Sequence, residues 1–322
     1  MQHIQAKIRS AIHDRAVTPL FRFLSQSAIF IAETLCPENN PRAIAATKKL
    51  REDIASLAPL PLREISRAGN KWLTYRTQLR KLMMYRNPNR FLRWQPIRST
   101  MSLSSVDPDE LLYLQALNKW STWRAALGES PTGAPTPSIL LPESSATLIH
   151  HAYSLAKICA EFDIDILALN SIVEIGGGYG SMCRLLTNLG FKGEYIILDL
   201  PEFSALQRFF LSLSLPIEKI KHIKLLSERD GLRKAAASGV DMFIGTWSIS
   251  EMPVKTREDF LKAVGTPRYF LVAFQHTFGE VNNEEYFKQF MAERSEYIWR
   301  LEPISHLPGN YHLFGERRYA DA

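Results

Sequence analysis

Thirty residues from Ser171 to Leu200, SIVEIGGGYGSMCRLLTNLGFKGEYIILDL, restrict the fold more than any other stretch of the chain. A short apolar run breaks into glycines, a helix-like run follows, and a second apolar run closes on Asp199. Parallel strands need a crossover, usually a helix, and when both faces of their sheet are covered they read as continuous apolar runs. The stretch therefore predicts one strand-helix-strand unit of a parallel sheet.

The same alternation continues to the end of the chain. A helix over about 145–162 precedes the strand 171–175. Then come a helix (180–190), a strand (194–200), a helix (201–214), a strand (221–226), a short helix (228–237), a strand (241–246), a helix (256–264), a strand (268–274) and a helix (283–294). The last two runs, EYIWRLEPI (296–304) and YHLFGER (311–317), are joined only by SHLPGN. A link that short closes an antiparallel pair and no other. The expectation is a doubly wound, mostly parallel seven-stranded α/β sheet, Rossmann-like, with a terminal antiparallel hairpin.

Upstream the pattern changes. PRAIAATKKLREDIASL and LLYLQALNKWSTWRAAL repeat apolar residues every three or four positions, as amphipathic helices do. GESPTGAPTPSILLP (128–142) is rich in proline and glycine and can continue neither a helix nor a central strand. The boundary is placed there: residues 1–140 form an all-helical region and residues 141–322 the sheet domain. Charge divides along similar lines. Lys and Arg less Asp and Glu give 18 − 6 = +12 over residues 1–100 and 21 − 27 = −6 over residues 101–322. The two parts are expected to meet different partners.

Cys36, Cys159 and Cys183 are widely spaced, with neither a CxxC pair nor a zinc spacing, so a disulfide framework and a structural metal are not expected and a reducing cytoplasm fits. No apolar run approaches the roughly 20 residues of a spanning helix, and MQHIQAKIRS lacks the apolar core of a secretory signal. The basic stretch from Met1 to Phe30 reads better as a surface helix than as an organelle presequence.

In an open parallel sheet a ligand sits beyond the carboxyl ends of the strands, and a strand-to-helix turn rich in glycine brings backbone N–H groups close to it. A dinucleotide fingerprint G-x-G-x-x-G/A beginning at Gly176 needs Gly or Ala at 181, where the chain has Ser181. Gly176, Gly178 and Gly180 instead give G-x-G-x-G. Asp199 ends the second strand, where an acidic side chain can accept hydrogen bonds from a ribose diol.

VEIGGGYG, ILDLPEFSALQRFFL and GTWSISEMP together resemble the class I S-adenosylmethionine-dependent methyltransferases, and most specifically the sugar O-methyltransferase family, over roughly residues 145–317. The resemblance implies S-adenosylmethionine as cofactor and S-adenosylhomocysteine as product. Glu174 and the turn of Gly176, Gly178, Tyr179 and Gly180 would hold its methionyl part, and Asp199 with Leu200 its ribose. Thr246 and Trp247 would face the reacting methyl. GGGYG followed by LDLP also resembles plant-type phenolic O-methyltransferases, which carry a histidine just after the fourth strand. Here that stretch is Thr246-Trp247-Ser248-Ile249-Ser250-Glu251, so their mechanism does not carry over, although a phenolic or polyketide acceptor stays open as an alternative.

A sulfonium methyl is already activated, but a sugar hydroxyl must lose a proton during transfer, to a general base or with help from a metal. Glu251, after the fourth strand, is the first candidate for the base, against a reading as a helix cap. His276, after the fifth strand, is the second. His150 and His151 open the helix before the first strand, where an acceptor pocket is often roofed, and His312 lies in the last strand; these are candidates for acceptor contacts. Asp241 stands at the wrong end of its strand, Cys183 reads as core, and the carboxylates form no metal-binding pattern with histidine.

The segment KWLTYRTQLRKLMMYRNPNRFLRW (71–94) interleaves basic and aromatic residues with no acidic one. It suits a phosphorylated acceptor, such as a nucleotide sugar or a glycolipid, and peripheral contact with the inner face of a membrane. RNA is disfavoured because no nucleic-acid-binding motif accompanies the stretch. Packing of this basic face on the acidic domain within a homodimer is the competing account.

Overall fold

In the computed structural model, the structure describes residues 40–63 and 67–318. The stretch from Met1 to Phe30 lies outside the described residues. Among the described residues five helices precede the sheet domain: α1 (Pro41–Ser56), α2 (Arg67–Tyr85), α3 (Gln95–Met101), α4 (Pro108–Gln115) and α5 (Trp120–Ala126), with a 3₁₀ turn over Pro88–Arg93 between α2 and α3. LLYLQALNKWSTWRAAL is two helices rather than one. Its apolar spacing runs through the turn at 116–119, so periodicity alone does not reveal the break.

The sheet follows. Its elements are α6 (Ala146–Glu161), β1 (Ser171–Ile175), α7 (Ser181–Leu189), β2 (Glu194–Leu198), α8 (Pro201–Ser214), α9 (Ile217–Ile220) and β3 (Ile223–Leu226), then α10 (Arg229–Ala235), β4 (Met242–Thr246), α11 (Val254–Val264) and β5 (Tyr269–Gln275). A two-residue pair, β6 (Thr277–Phe278) and β7 (Val281–Asn282), leads into α12 (Asn283–Ala292), β8 (Tyr297–Pro303) and β9 (Asn310–Arg317). Strand order is β3-β2-β1-β4-β5-β9-β8. β1 to β5 pair in parallel, while β9 runs antiparallel to β5 and to β8. This is the seven-stranded sheet with a terminal hairpin that the sequence predicts.

Alternation along each strand fills both faces. Ile172, Ile197, Ile244 and Leu271 point into one cluster, and Val173, Ile196, Phe243 and Phe270 into the other. The first cluster also takes in Leu50, Ile54, Leu79, Met83 and Phe91, so the described N-terminal helices share a core with α6, α7 and α8. Cys183 is fully buried there.

An ionic clamp fixes α2 to that face. Glu202, in the first turn of α8, is completely buried and accepts from Arg76 Nε at 2.9 Å and Arg80 Nε at 2.6 Å. Burial alone would raise the Glu202 carboxyl, but the two guanidiniums and the helix N-terminus outweigh it and hold it low. Two cations of the basic stretch, Arg76 and Arg80, are thus spent on packing within one chain. Asp241 at the amino end of β4 accepts from the backbone N–H groups of Asn170 and Ser171, a structural role at the end of the sheet away from the glycine turn.

Candidate functional site

The carboxyl ends of β1, β2 and β4 open onto a cavity of about 640 Å³. Its floor is the glycine turn. Gly176 sits at φ +73°, and a Cβ there would come within 2.2 Å of Ser248 Cβ, so only glycine lets the turns after β1 and β4 lie side by side. Gly178 (φ +59°) faces Met101 from α3, and Gly180 (φ +95°) is the residue from which α7 starts.

Three carboxylates ring the cavity. Glu174 on β1 lies beneath Gly177 and accepts from the Tyr195 hydroxyl at 2.9 Å. Burial pushes its carboxyl up to about 8, the Tyr195 bond opposing and the charge of Asp199 adding to the shift. Asp199 accepts from the N–H of Leu200 at 2.7 Å, of Gly178 at 2.9 Å and from Gln207 Nε2 at 3.0 Å. Burial nevertheless pushes it up to about 7. Glu251 ends the 3₁₀ turn after β4; burial pushes it up to about 7 against the opposing Lys71 ammonium and a hydrogen bond from the Trp72 side chain.

Of the residues expected at the cofactor, Glu174, Gly176, Gly178, Tyr179, Asp199, Leu200, Thr246 and Trp247 line this cavity; Gly180 does not. The Tyr179 ring packs on Phe91 and Phe210, 5.4 Å and 5.1 Å between ring centres. Trp247 holds the left-handed conformation at φ +61°, and its indole N–H donates to Asn310 Oδ1 at 2.8 Å. Glu251, His150 and His151 also line the cavity. His276 does not. Its ring is half exposed, with Nδ1 2.8 Å from Glu284. His312 lies behind the wall, stacked on His150 at 5.8 Å, with Nε2 3.0 Å from the Ser154 hydroxyl. Burial pushes both His151 and His312 down to about 3, so each is a neutral imidazole.

Sequence reasoning missed the roof and one wall. Trp72 and Arg76 of α2, Met101 of α3 and Leu307 and Asn310 of the β8–β9 hairpin all line the cavity. Trp72 and Arg76 lie in the basic stretch, but nothing in that stretch says which face meets the sheet. Glu110, His150 and His306 each bring one ligand-type atom within 4.8 Å of the others, a grouping hidden by its spread over nearly the whole folded length. Among the described residues no helix is long and apolar enough to cross a membrane.

The free-state carboxyl shifts have two consequences for pH. Unfolded carboxyls ionise near pH 4, whereas Glu174 and Asp199 keep protons up to about 8 and 7 when folded. Their contribution to stability is therefore complete below about pH 4 and is lost as pH rises through 7 to 8. The free chain is expected to melt at lower temperature at pH 8.5 than at pH 6. A bound cation would favour the ionised forms and narrow that difference, which thermal melts with and without ligand at the two pH values will measure.

No protein-family model matches the chain, and no curated protein matches it. Solved structures that resemble it include the methyltransferase domain of bacterial CtHen1, 18% identical, covering 51% of this chain and 95% of that one with a TM-score of 0.39. Precorrin-6y C5,15-methyltransferase from Geobacter metallireducens is 12% identical, covering 57% and 94% with a TM-score of 0.37. The glycopeptide N-methyltransferase MtfA is 12% identical, covering 51% and 94% with a TM-score of 0.37.

Proposed function

We propose that the chain is an S-adenosylmethionine-dependent O-methyltransferase acting on a hydroxyl of a sugar or glycoconjugate. The observation that carries the cofactor is the set of carboxyls around the cavity, which a bound cation would ionise. Glu174, Asp199 and Glu251 ring a space floored by glycine backbone. Such a wall suits a sulfonium and ammonium and repels the pyrophosphate of a dinucleotide. Asp199 is placed for the ribose diol and Glu174, with the glycine turn, for the methionyl end. The cofactor supplies an activated methyl; the chain's residues align the acceptor oxygen with it and exclude water, for which the roof of Trp72, Met101 and Leu307 is suited.

The acceptor side is the part of the cavity bounded by His150, His151, Trp247 and Glu251, where polar side chains alternate with an indole. A ring bearing several hydroxyls matches that mixture. The resemblance to the sugar O-methyltransferase family supports this acceptor class, and helices α2 and α3 would contribute the roof over it through Trp72 and Met101. A nucleotide sugar or a glycolipid would use the remaining basic side chains of residues 71–94 for its phosphate. Glu251 is assigned to the hydroxyls of the acceptor.

Asp199→Ala is expected to weaken S-adenosylhomocysteine by about 1.5–3 kcal/mol, the range for hydrogen bonds to a charged group, without unfolding the chain. Titration calorimetry checks this, and unchanged affinity would remove Asp199 from the site. Tritiated methyl transfer to a panel of nucleotide sugars and glycolipid extracts tests the acceptor class. Glu251→Gln should raise the acceptor KM by about tenfold, the loss of one hydrogen bond to a charged group. A fall in kcat of about 10²–10⁴ with KM unchanged would instead make Glu251 the base.

A further inference from the structure

At the cavity wall lies a group of buried and partly buried polar side chains, of which only His150 has been given a role above. Glu110, on α4, is 3% exposed, and His150, on α6, is 1% exposed; Glu110 Oε1 stands 2.5 Å from His150 Nδ1. His306, in the link between β8 and β9, stands beside them, with Nδ1 3.2 Å from Asp107 and Nε2, which makes no hydrogen bond, 3.5 Å from Glu110 Oε1. His150 lines the cavity, its ring 5.3 Å from that of Trp247, and its Nε2 is buried with no hydrogen-bond partner. An unpaired polar atom in so dry a place is costly unless a ligand completes it.

Hydrogen-bond chemistry fixes the protons. An ionised carboxylate can only accept, so the short contact puts a proton on His150 Nδ1, and in the neutral imidazole Nε2 then carries the lone pair. Two ligands of one divalent ion, each about 2.0–2.2 Å from it, lie more than about 3 Å apart, so Glu110 Oε1 and His150 Nδ1 are hydrogen-bonded to each other, while Glu110 Oε2 and the Nε2 atoms of His150 and His306 have no hydrogen-bond partner. When His150 gains a second proton it becomes a cation facing the Glu110 carboxylate, and His306 between two carboxylates keeps that carboxylate in place.

Resting on the methyltransferase reading, we propose that His150 takes the acceptor's proton, with Glu110 and His306 as positioning residues that hold it in the Nδ1–H tautomer. The hydroxyl proton moves to Nε2 as the oxygen bonds the methyl carbon, and the pair of the breaking C–S bond stays on sulfur. The proton stays on His150 until the products leave and water enters the cavity to take it. This assigns the base to a helix that precedes β1, and leaves Glu251 to hold the acceptor.

Long-range ¹H–¹⁵N spectra of the full chain labelled at its imidazole nitrogens test the tautomer, with the His150 signal assigned by its loss in His150→Gln. The expected result is a protonated Nδ1 and a bare Nε2 at neutral pH, changing to mixed tautomers in Glu110→Ala. A protonated Nε2 in the unmutated chain overturns the proposal, and this reading is obtained even where Glu110→Ala does not fold. So does a His150 signal indifferent to Glu110→Ala. Zinc alone, titrated into the same sample, is expected to leave the His150 and His306 signals in place. Stoichiometric binding that displaces both would make the cluster a metal centre and also overturn the proposal. With an acceptor in hand, His150→Gln should lower kcat about 10²–10⁴-fold and leave S-adenosylhomocysteine affinity unchanged. Failure of S-adenosylhomocysteine to bind the unmutated chain counts against the methyltransferase reading, not against the tautomer, so the two failures are told apart.

Discussion

Exchanging Arg76 and Arg80 together for methionine is expected to destabilise the chain by about 3–5 kcal/mol, the range for stranding one partner of a buried ion pair. Glu202 is completely buried, and its two oxygens face these guanidiniums at 2.9 Å and 2.6 Å. Methionine matches their length and apolar stem but leaves the carboxylate with only the first turn of α8 to stabilise it. The converse change, Glu202→Gln, should cost less. It removes the buried charge itself, and the arginines keep about a fifth of their side-chain surface in solvent through which to be hydrated. Urea denaturation of the two variants gives the comparison. If both lie within 1 kcal/mol of the unmutated chain, by the same measure of surface ion pairs, the clamp contributes nothing and α2 is held by its apolar face alone. Because Trp72 and Arg76 roof the cavity, the double variant should also weaken cofactor binding beyond what its stability predicts.

Gly176→Ala should abolish cofactor binding at any ligand concentration that saturates the unmutated chain. The added Cβ would lie 2.2 Å from Ser248 Cβ and 2.8 Å from its Oγ, and at φ +73° the backbone cannot turn it away without leaving the left-handed region. Ser248 is in turn tied by its hydroxyl to the Ile175 carbonyl. The clash therefore pushes apart the two turns that form the floor, at a cost to stability of about 1–3 kcal/mol. Gly265→Ala is the matched control. It has φ +81° and ψ −134° and nothing within 4 Å of the added carbon, so it carries backbone strain of about 1–3 kcal/mol without a clash and should bind cofactor normally. Equal cofactor affinity in both variants would show that the floor is not where the ligand sits.

Much of this architecture is legible before any coordinates. SIVEI, EYIIL and YFLVAF are short, apolar on both faces and bounded by turn residues, because helices cover the sheet on either side. The hairpin is legible because SHLPGN is too short for any other connection. The turn at Gly176, Gly178 and Gly180 is legible because each glycine answers a local demand for positive φ. What stays hidden depends on contacts between distant segments. Nothing near His306 announces that it meets Asp107 and Glu110 across the chain, and nothing in the amphipathic spacing of α2 announces that Trp72 reaches Glu251. The placement of His276 follows the same rule. Its position at the carboxyl end of β5 is right for a site residue, but β6 and β7 carry the chain away and Glu284 claims the ring. Residue type and strand end narrow a search, while the direction of the following loop decides it.

A cavity walled by Glu174, Asp199 and Glu251 should receive a cationic cofactor. Calorimetric titration of the full chain with S-adenosylmethionine and with NADH, at pH 6 and pH 8.5 in buffers of different ionisation enthalpy, tests it most directly. The expected result is micromolar S-adenosylmethionine binding that tightens toward pH 8.5 and releases protons, because carboxyls raised to about 7 and 8 must ionise to meet the cation, and no binding of NADH. NADH binding, or S-adenosylmethionine binding that is absent or loosens as pH rises, would contradict it.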